Sequence, residues 1–419
     1  MGVLTLAKLT IGFFSIMFRE PNGTAKATRK LAFELARQGH TIEIFAPDKP
    51  KGWEDSSKTR NMIYHEQFST KAPYEQDVRL AFPVFRGMQE HKFPELDVVH
   101  AMTPEGIGTY GIFVAKQNFI PKAVTAHSPL FYYTKDFLGT IPSLFLNPIL
   151  YIYEPYFYNR FDLISVPTRS KKDFVLKQGM KDPIVVISNG IEDFYFKPHK
   201  GNRIREKYKV GDKKLLVYAS RMAPEKHPCK VLRMYKEIHD RFPHSHLIFV
   251  GQGPEYQKVK ELIEELKLES HVTLTGYVPT DELLEFYAAA DVTCLWSYVE
   301  AQGLVLLESM AQGTPSVGLN AMGIKDVIIH GKTGFLVNNR QEFIERVLQI
   351  FKDDNLRKEL SRNCLIEAEK HRMENIAKAW VKMYELLIDI YPMIRARAER
   401  PYRNAVFQDF VEHEHCCDW

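Results

Sequence analysis

Two glutamates flank a glycine in residues 297–318, which read SYVEAQGLVLLESMAQGTPSVG. Glu300 precedes an apolar stretch with helical spacing, and Glu308 lies inside that stretch. The first turn of a helix offers backbone N–H groups and partial positive charge, which suit a phosphate. Glu300 would repel a phosphate, so we expect it to accept hydrogen bonds from sugar hydroxyls. A carboxylate within an apolar helix needs donors, and a ribose diol would supply two of them to Glu308.

The two carboxylates and the helix end between them therefore predict a site for a nucleotide sugar. Gln302, Gly303 and Leu304 stand at the start of the helix, where the phosphates would lie. The ordinary alternatives are an N-cap role for Glu300 and a surface position for Glu308.

Two basic residues follow the first strand of the second half of the chain, in the sequence SRMAPEKHP. Arg221 and Lys226 lie on one loop, and two cations placed together would neutralise a diphosphate leaving group. A solvated basic loop is the alternative interpretation.

Three residues of the first half are weaker candidates. His127 ends the strand-like sequence KAVTAH, and Gly23 precedes a predicted helix for which Thr24 is a candidate cap. A glycine turn at a helix start presents backbone N–H groups to an anion. A structural histidine and a loop glycine are the alternatives. The chain has no complete G-x-G-x-x-G motif, which argues against a dinucleotide-dependent dehydrogenase.

The elements that would position these residues are short apolar strands alternating with amphipathic helices. LTIGFF, TIEIFAP, DVVHAM, KAVTAH, DLISVP and PIVVISN are apolar on both faces, as strands of a parallel sheet are. The pattern restarts after residue 212 with KLLVYAS, HLIFVG, VTLTG, VTCLWS and PSVGL. Such alternation predicts a doubly wound α/β fold, and two runs predict two sheets.

The expected domains are 1–195 for the acceptor and 213–390 for the nucleotide sugar, with a charged linker at 196–212 that includes a short helix. The last helix of the second domain, near Met373–Ile390, is expected to return to the first domain. Residues 341–390 look wholly helical and end near Pro392, and residues 391–419 form a tail. Parallel sheets bind ligands beyond the carboxyl ends of their strands, and the candidate residues all follow strands.

Composition narrows the class of protein. The length of 419 residues suits two domains, and a net charge of +4 gives no sign of a nucleic-acid partner. The five cysteines are scattered and odd in number, as in a reducing cytoplasm. We find no signal peptide, no stretch that predicts a transmembrane helix, and no D-x-D motif of the kind that holds a metal-bridged diphosphate.

From about residue 8 to residue 390 the sequence resembles the retaining glycosyltransferases of family 4, which have the GT-B fold of two Rossmann-like domains facing a central cleft. The stretch from Glu300 to Glu308 is similar to the family's E-x7-E signature. SRMAPEK, GQGP, SNGIEDFYF and HGKTGFLV match other family stretches in the same order. Gln302 departs from the usual aromatic residue and Ser220 from the usual glycine, and we expect the former to bear on sugar preference.

The resemblance implies a role for each candidate. Glu300 would bind hydroxyls of the donor hexose and Glu308 the ribose. Arg221 and Lys226 would hold the diphosphate, and His127 would approach the transferred sugar. Gly23 would let the first loop close over the phosphates. It also implies same-face displacement without a metal or other cofactor, in which the departing phosphate takes the proton of the acceptor.

The acceptor is suggested by residues 130–162, where eleven of 33 residues are Phe or Tyr. Such rings favour membrane interfaces, and nearby Lys and Arg side chains attract anionic lipid. The segment resembles that of glycolipid-forming members of the family, which predicts a peripheral protein on the cytoplasmic face of a membrane. An aromatic core helix pair, a soluble acceptor, and a nucleotide-sugar-binding protein without turnover remain as alternatives.

Overall fold

The computed structural model describes residues 8–16, 18, 23–47, 49, 53, 59–71, 79–81, 95–104, 106–127, 140–181 and 183–396. The chain divides into two compact units. The first contains Met1–Asn189 together with Met373–Trp419, and the second contains Gly190–Arg372.

A parallel sheet forms the centre of the first unit. Its strands are β1 (Thr10–Phe14), β2 (Thr41–Ala46), β3 (Met62–Glu66), β6 (Val98–Ala101), β7 (Lys122–Thr125), β8 (Leu163–Val166) and β9 (Ile184–Val186), while β4 (Ser69–Lys71) and β5 (Arg79–Ala81) form a separate antiparallel pair. The order across the seven-stranded sheet is β3-β2-β1-β6-β7-β8-β9, with all neighbours parallel. The direction of winding reverses between β1 and β6, which is where such sheets bind ligands.

Helices cover both faces of this sheet, so its central strands are buried. The helices are α1 (Gly23–Arg37), α2 (Gly106–Asn118), α3 (Thr140–Tyr158) and α4 (Arg169–Lys177). Phe14 and Val99 point to the face that carries α2 and the buried side of α3, whereas Phe13 and Val98 point to the face that carries α1. The alternation of neighbouring residues between two cores explains why the strand sequences are apolar throughout.

The second unit repeats the plan with six parallel strands. They are β10 (Lys214–Ala219), β11 (Ser245–Val250), β12 (Val272–Leu274), β13 (Val292–Leu295), β14 (Ser316–Leu319) and β15 (Gly334–Val337), in the order β12-β11-β10-β13-β14-β15. Its helices are α5 (Asn202–Lys207), α6 (Pro228–Arg241), α7 (Tyr256–Glu265), α8 (Thr280–Ala289), α9 (Leu304–Ala311), α10 (Arg340–Lys352) and α11 (Asp354–Lys370). Here the winding reverses between β10 and β13, whose Tyr218 and Cys294 are in register.

The last helix, α12 (Met373–Ala396), belongs to the first unit, where it packs on α1. Trp380, Tyr384 and Leu387 are buried there, and the Tyr384 hydroxyl lies 2.7 Å from His100 Nδ1. Pro392 lies inside α12 and does not end it. A proline near a helix end removes only one hydrogen bond, so the last turn persists.

Several elements differ from those read off the sequence. The segment 196–212 lies within the second unit, where α5 buries Ile204 fully, whereas the sequence predicts a linker. The region 341–390 is helical, as expected, and consists of three helices, because Asp353 caps α11 and separates it from α10. Strands β3, β4, β5 and β15 were not predicted. Residues 397–419 lie outside the described residues.

Candidate active site

The loops that follow β10 and β13 carry the central candidates of the second unit. Lys226 lies in a short 3-10 helix, Pro224–Lys226, after β10, and Glu300 lies in the loop after β13. Because the two strands are neighbours and parallel, their loops leave the same edge of the sheet. The Lys226 ammonium and the Glu300 carboxylate form an ion pair, with side chains 18% and 13% exposed. Residues far apart in sequence are thus brought into contact.

Arg221 lies on the same loop as Lys226 but has another partner. Its guanidinium donates to Glu225 Oε1 at 3.0 Å, and the side chain is 59% exposed. The loop therefore has one cation held by Glu300 and a second cation at the surface. An exposed guanidinium paired with a surface carboxylate costs little to reorient toward a ligand.

Helix α9 begins at Leu304, directly after the N-cap Gly303. Gly303 has a φ of +73°, a left-handed conformation that glycine adopts without strain. Gln302, the predicted sugar-side residue, is buried at 3% exposure. The start of α9 is therefore where the sequence predicts it, with its positive dipole end beside the loop that carries Glu300.

Gly323, which the sequence analysis did not single out, fixes the backbone of this loop. It has a φ of +79°, and a Cβ there would lie 2.2 Å from the Glu300 carbonyl oxygen. Only glycine permits this approach, so the position of Glu300 depends on a residue that follows β14. A glycine after a strand was the only available signal, and it is too common to be diagnostic.

Glu308 is buried within α9, as expected, but it has donors of its own. The Tyr287 hydroxyl donates to Glu308 Oε2 at 3.0 Å, and the Tyr195 hydroxyl also bonds to this carboxylate. Burial, followed by the Glu308 charge, raises the pKa of both phenols well above the usual value of 10. Neither tyrosine was predicted as a site residue. Tyr195 lies in the stretch SNGIEDFYF, which was noticed only for its resemblance.

His127 follows β7 in the first unit and is 7% exposed. It lines a cavity of about 10 Å³ with Met102, Thr125, Ile187 and Trp380. Among the described residues, its Nε2 has no hydrogen-bond partner. Burial, together with the Lys171 ammonium, lowers the pKa of His127 to about 4, so the ring is neutral at pH 7. A neutral imidazole can exchange hydrogen bonds with a hydroxyl but offers no charge.

Gly23 and Thr24 lie at the start of α1, where Gly23 is the first helical residue. Thr24 is therefore inside the first turn and is not the cap that the sequence predicts; its carbonyl accepts from the Thr28 hydroxyl at 2.9 Å. No heavy atom of the described residues would lie within 4 Å of a Cβ at Gly23. Residues 19–22, which precede it, lie outside the described residues.

Helix α3 of the first unit exposes the apolar side that a helix of a soluble protein normally buries. Phe145, Ile149, Ile152 and Tyr156 are 73%, 61%, 72% and 60% exposed. Their spacing of three to four residues places them on one face. The opposite side is buried and includes Glu154. Tyr132, Tyr133 and Phe137 of the aromatic segment lie outside the described residues, as does Lys135.

Two features absent from the described residues concern metal ions and membranes. No group of three or more His, Cys, Asp or Glu side chains there is arranged to hold a metal ion. No helix there has the length and hydropathy needed to cross a bilayer.

Comparison with known proteins identifies the family. The profile of "Glycosyltransferase Family 4" matches residues 21–193, and that of "Glycosyl transferases group 1" matches residues 201–364. The chain is 27% identical to the alpha-monoglucosyldiacylglycerol synthase of Acholeplasma laidlawii over 91% of this chain and 98% of that protein. It is also 27% identical to the N-acetyl-alpha-D-glucosaminyl L-malate synthase of Bacillus anthracis, over 90% and 97% of the two chains.

The same architecture occurs in solved structures. Anabaena HepE, crystallised with UDP, superposes with a TM-score of 0.73 at 19% identity and covers 90% of this chain and 100% of its own. At this identity the likeness concerns the fold. With both family profiles matched in order along the two units, the chain belongs to glycosyltransferase family 4 and is a glycosyltransferase of the GT-B fold.

Proposed function

We propose that the protein transfers a hexose, with retention of configuration, from a nucleoside diphosphate sugar to a lipid hydroxyl at a membrane surface. The donor is of the UDP-glucose or GDP-mannose type, and the acceptor is diacylglycerol or a phospholipid. The observation that carries the lipid acceptor is the apolar, exposed face of α3. The relatives support it, because the Acholeplasma laidlawii protein is named for a glucosyldiacylglycerol.

The donor half of the proposal rests on the second unit. Lys226 and Arg221 lie on the loop after β10 and would neutralise the diphosphate, while the N-terminus of α9 favours the same negative charge. Glu300 would accept hydrogen bonds from hexose hydroxyls, and Glu308 would accept them from the ribose. The contact between Lys226 and Glu300 would place the proposed phosphate-binding and hydroxyl-binding groups side by side.

Gln302 would adjoin the hexose, and Gly303 and Leu304 would present the helix end to the phosphates. In the first unit, Gly23 and Thr24 would approach the diphosphate, and His127 would bond to a hydroxyl of the transferred sugar. The depressed pKa of His127 supports a neutral hydrogen-bonding role. Each of these assignments follows the residue's place at the end of a strand or the start of a helix.

The chemistry would proceed on one face of the sugar. The bond between the anomeric carbon and the diphosphate oxygen breaks, and the acceptor oxygen bonds to the same carbon. The departing phosphate oxygen takes the proton of the acceptor hydroxyl, so no protein carboxylate has to act as a base. The protein would contribute mainly by stabilising the leaving group with Arg221 and Lys226, and we propose that it needs no metal.

The membrane half rests on α3. Burial of apolar side chains contributes about 25 cal/mol for each Å² removed from water. Exposing this face to water forgoes that gain, so we propose that an apolar phase covers it. The Arg160 guanidinium lies 3.4 Å from the centre of the Tyr156 ring, so a cation adjoins this face. Aromatic rings beside a cation suit the boundary between lipid headgroups and acyl chains.

The experiment combines binding and transfer with one protein preparation. Wild type should sediment with anionic vesicles that contain diacylglycerol, and release should increase with salt because the surface charges are screened. Radiolabelled UDP-glucose and GDP-mannose should be tested as donors for glycolipid formation, with and without a chelator. The triple variant Phe145→Ser, Ile149→Ser, Ile152→Ser should lose vesicle binding and glycolipid formation by at least about tenfold while hydrolysing the donor at the wild-type rate.

The matched control replaces exposed apolar residues of the second unit. Leu365 and Ile366 on α11 are 45% and 65% exposed, and Leu365→Ser, Ile366→Ser should leave vesicle binding unchanged. The similarity to the malate-glycosylating enzyme of Bacillus anthracis favours a small hydroxy acid as the second candidate acceptor. Efficient transfer to malate, together with no vesicle binding by wild type, would refute the lipid proposal and support that candidate.

A further inference from the structure

Two tyrosine hydroxyls form hydrogen bonds to the Glu308 carboxylate, which the proposed function assigns to the ribose. Glu308 is 8% exposed, and the phenols of Tyr287 and Tyr195, which are 1% and 5% exposed, both bond to it. A buried carboxylate is costly unless donors surround it. The phenols therefore replace part of the solvation that Glu308 loses on folding.

The backbones of both tyrosines are held by the end of the helix that carries Glu308. The Thr314 hydroxyl donates to the Tyr287 carbonyl at 2.6 Å. The Gln312 side chain donates to the carbonyls of Tyr195 and Lys197 and accepts from the backbone of the segment 195–199. The two tyrosines come from α8 and from the 3-10 helix Asp193–Phe196, so three elements are joined around one carboxylate.

A carboxylate accepts about four hydrogen bonds in fixed directions. Two phenols take two of these directions, which leaves the other lone pairs in a defined orientation for a pair of hydroxyls. Both phenols are protonated at neutral pH, since the ordinary phenol pKa is about 10 and burial raises the pKa of each further. They are thus permanent donors, and they limit how the carboxylate can turn.

We infer that Tyr287 and Tyr195 are positioning residues that orient Glu308 toward the ribose diol and thereby let the enzyme distinguish ribonucleotide from 2′-deoxyribonucleotide donors. The inference rests on the nucleotide role proposed for Glu308. The two tyrosines would influence this specificity through Glu308 and not by contacting the sugar.

The test measures binding of UDP, GDP and ADP by calorimetry, followed by the 2′-deoxy form of whichever binds. Wild type should prefer the ribonucleotide. Tyr287→Phe should weaken ribonucleotide binding by about tenfold, because the Glu308 carboxylate loses a donor that orients it. It should weaken 2′-deoxynucleotide binding much less, so the preference should fall. Tyr195→Phe should act in the same direction and serves if the first variant does not fold.

Tyr235→Phe is the matched control, because Tyr235 is also buried in the second unit and its hydroxyl lies 3.3 Å from Ser245 Oγ. It should keep the wild-type preference. Glu308→Gln tests the proposed role of Glu308 separately from the positioning role of the tyrosines. If Glu308→Gln keeps the wild-type preference, the proposed role of Glu308 fails and the inference fails with it. If Glu308→Gln loses the preference but both tyrosine variants keep it, only the positioning role is overturned.

Discussion

Helices α3 and α9 are both apolar in composition but have opposite surroundings. Each is mostly apolar and carries a single glutamate, and both glutamates, Glu154 and Glu308, are buried. Helix α9 also buries its apolar side chains, including Leu307 and Met310. Helix α3 instead exposes most of its large apolar side chains.

The difference shows that an apolar helix can serve two purposes in one chain. In α9 the apolar residues are ordinary core, and the function lies at the helix N-terminus and at one carboxylate. In α3 the apolar residues themselves form a surface. Sequence hydrophobicity is the same signal in both cases, and only the packing around each helix separates them.

The largest expected effect concerns the chemistry near α9. Arg221→Ala or Lys226→Ala should lower the transfer rate by about 10²–10³, the size seen when one preorganised charge stabiliser is lost. Initial rates with saturating donor measure this. Lys236→Ala is the control, because Lys236 pairs with Asp240 on the exposed side of α6. Near wild-type turnover in both loop variants would place the diphosphate elsewhere and leave α9 without a chemical role.

The second prediction tests the packing contrast directly by measuring stability. Leu307→Ala in α9 should reduce the free energy of unfolding by about 2–5 kcal/mol, because it leaves a cavity in the core. Ile152→Ala in α3 should change it by less than about 0.5 kcal/mol, as surface substitutions do. Urea denaturation of both variants provides the comparison. A loss of several kcal/mol for Ile152→Ala would mean that the α3 face is covered in solution.

Acid should destabilise both units by the same mechanism. Burial lowers the pKa of His100 to about 3 and of His127 to about 4 in the first unit, and of His246 and His371 to about 4 in the second. The unfolded chain, with histidine pKa values of about 6.5, binds more protons between pH 4 and pH 6.5. Stability is therefore present above pH 6.5 and lost as the pH falls toward 4.

Denaturation midpoints at pH 7 and pH 5 measure this loss, which should be on the order of 1 kcal/mol for each histidine. Gln does not titrate, so His246→Gln should reduce the loss between pH 7 and pH 5 by the contribution of one histidine. An unchanged loss in that variant would show that His246 does not contribute to the pH dependence.

The smallest effect concerns the ion pair beside α9. From its assigned role alone, Glu300→Gln would leave the affinity for a free nucleoside diphosphate unchanged. Because Glu300 pairs with Lys226 in the unliganded chain, the diphosphate has to compete for that ammonium. Glu300→Gln should therefore bind UDP or GDP about 2- to 5-fold more tightly, as expected for a pair of up to about 1 kcal/mol. Transfer should still be impaired. Weaker diphosphate binding would indicate that Glu300 holds the loop and does not compete.

Much of the fold could be predicted from the sequence, because buried parallel strands and amphipathic helices have distinct periodicities. The strands before Arg221, Glu300 and His127 were each recognised in this way. Strand β3 was not, because it lies at the edge of its sheet and alternates weakly between buried and exposed residues. Residues 196–212 were predicted as a linker with a short helix, because one buried isoleucine gives no periodicity that would assign this helix to either domain.

The sequence by itself determined the family, the alternating architecture, and the residue types of the candidate site, since these depend on local pattern and on motifs in order. Tertiary structure decided which residues make contact. Only the adjacency of β10 and β13 brings Lys226 to Glu300. Only the packing of α8 and the 3-10 helix Asp193–Phe196 against α9 gives Glu308 two phenol donors. Composition likewise could not show that one face of α3 is exposed. An apolar helix sequence is compatible with burial against protein and with contact to another apolar phase.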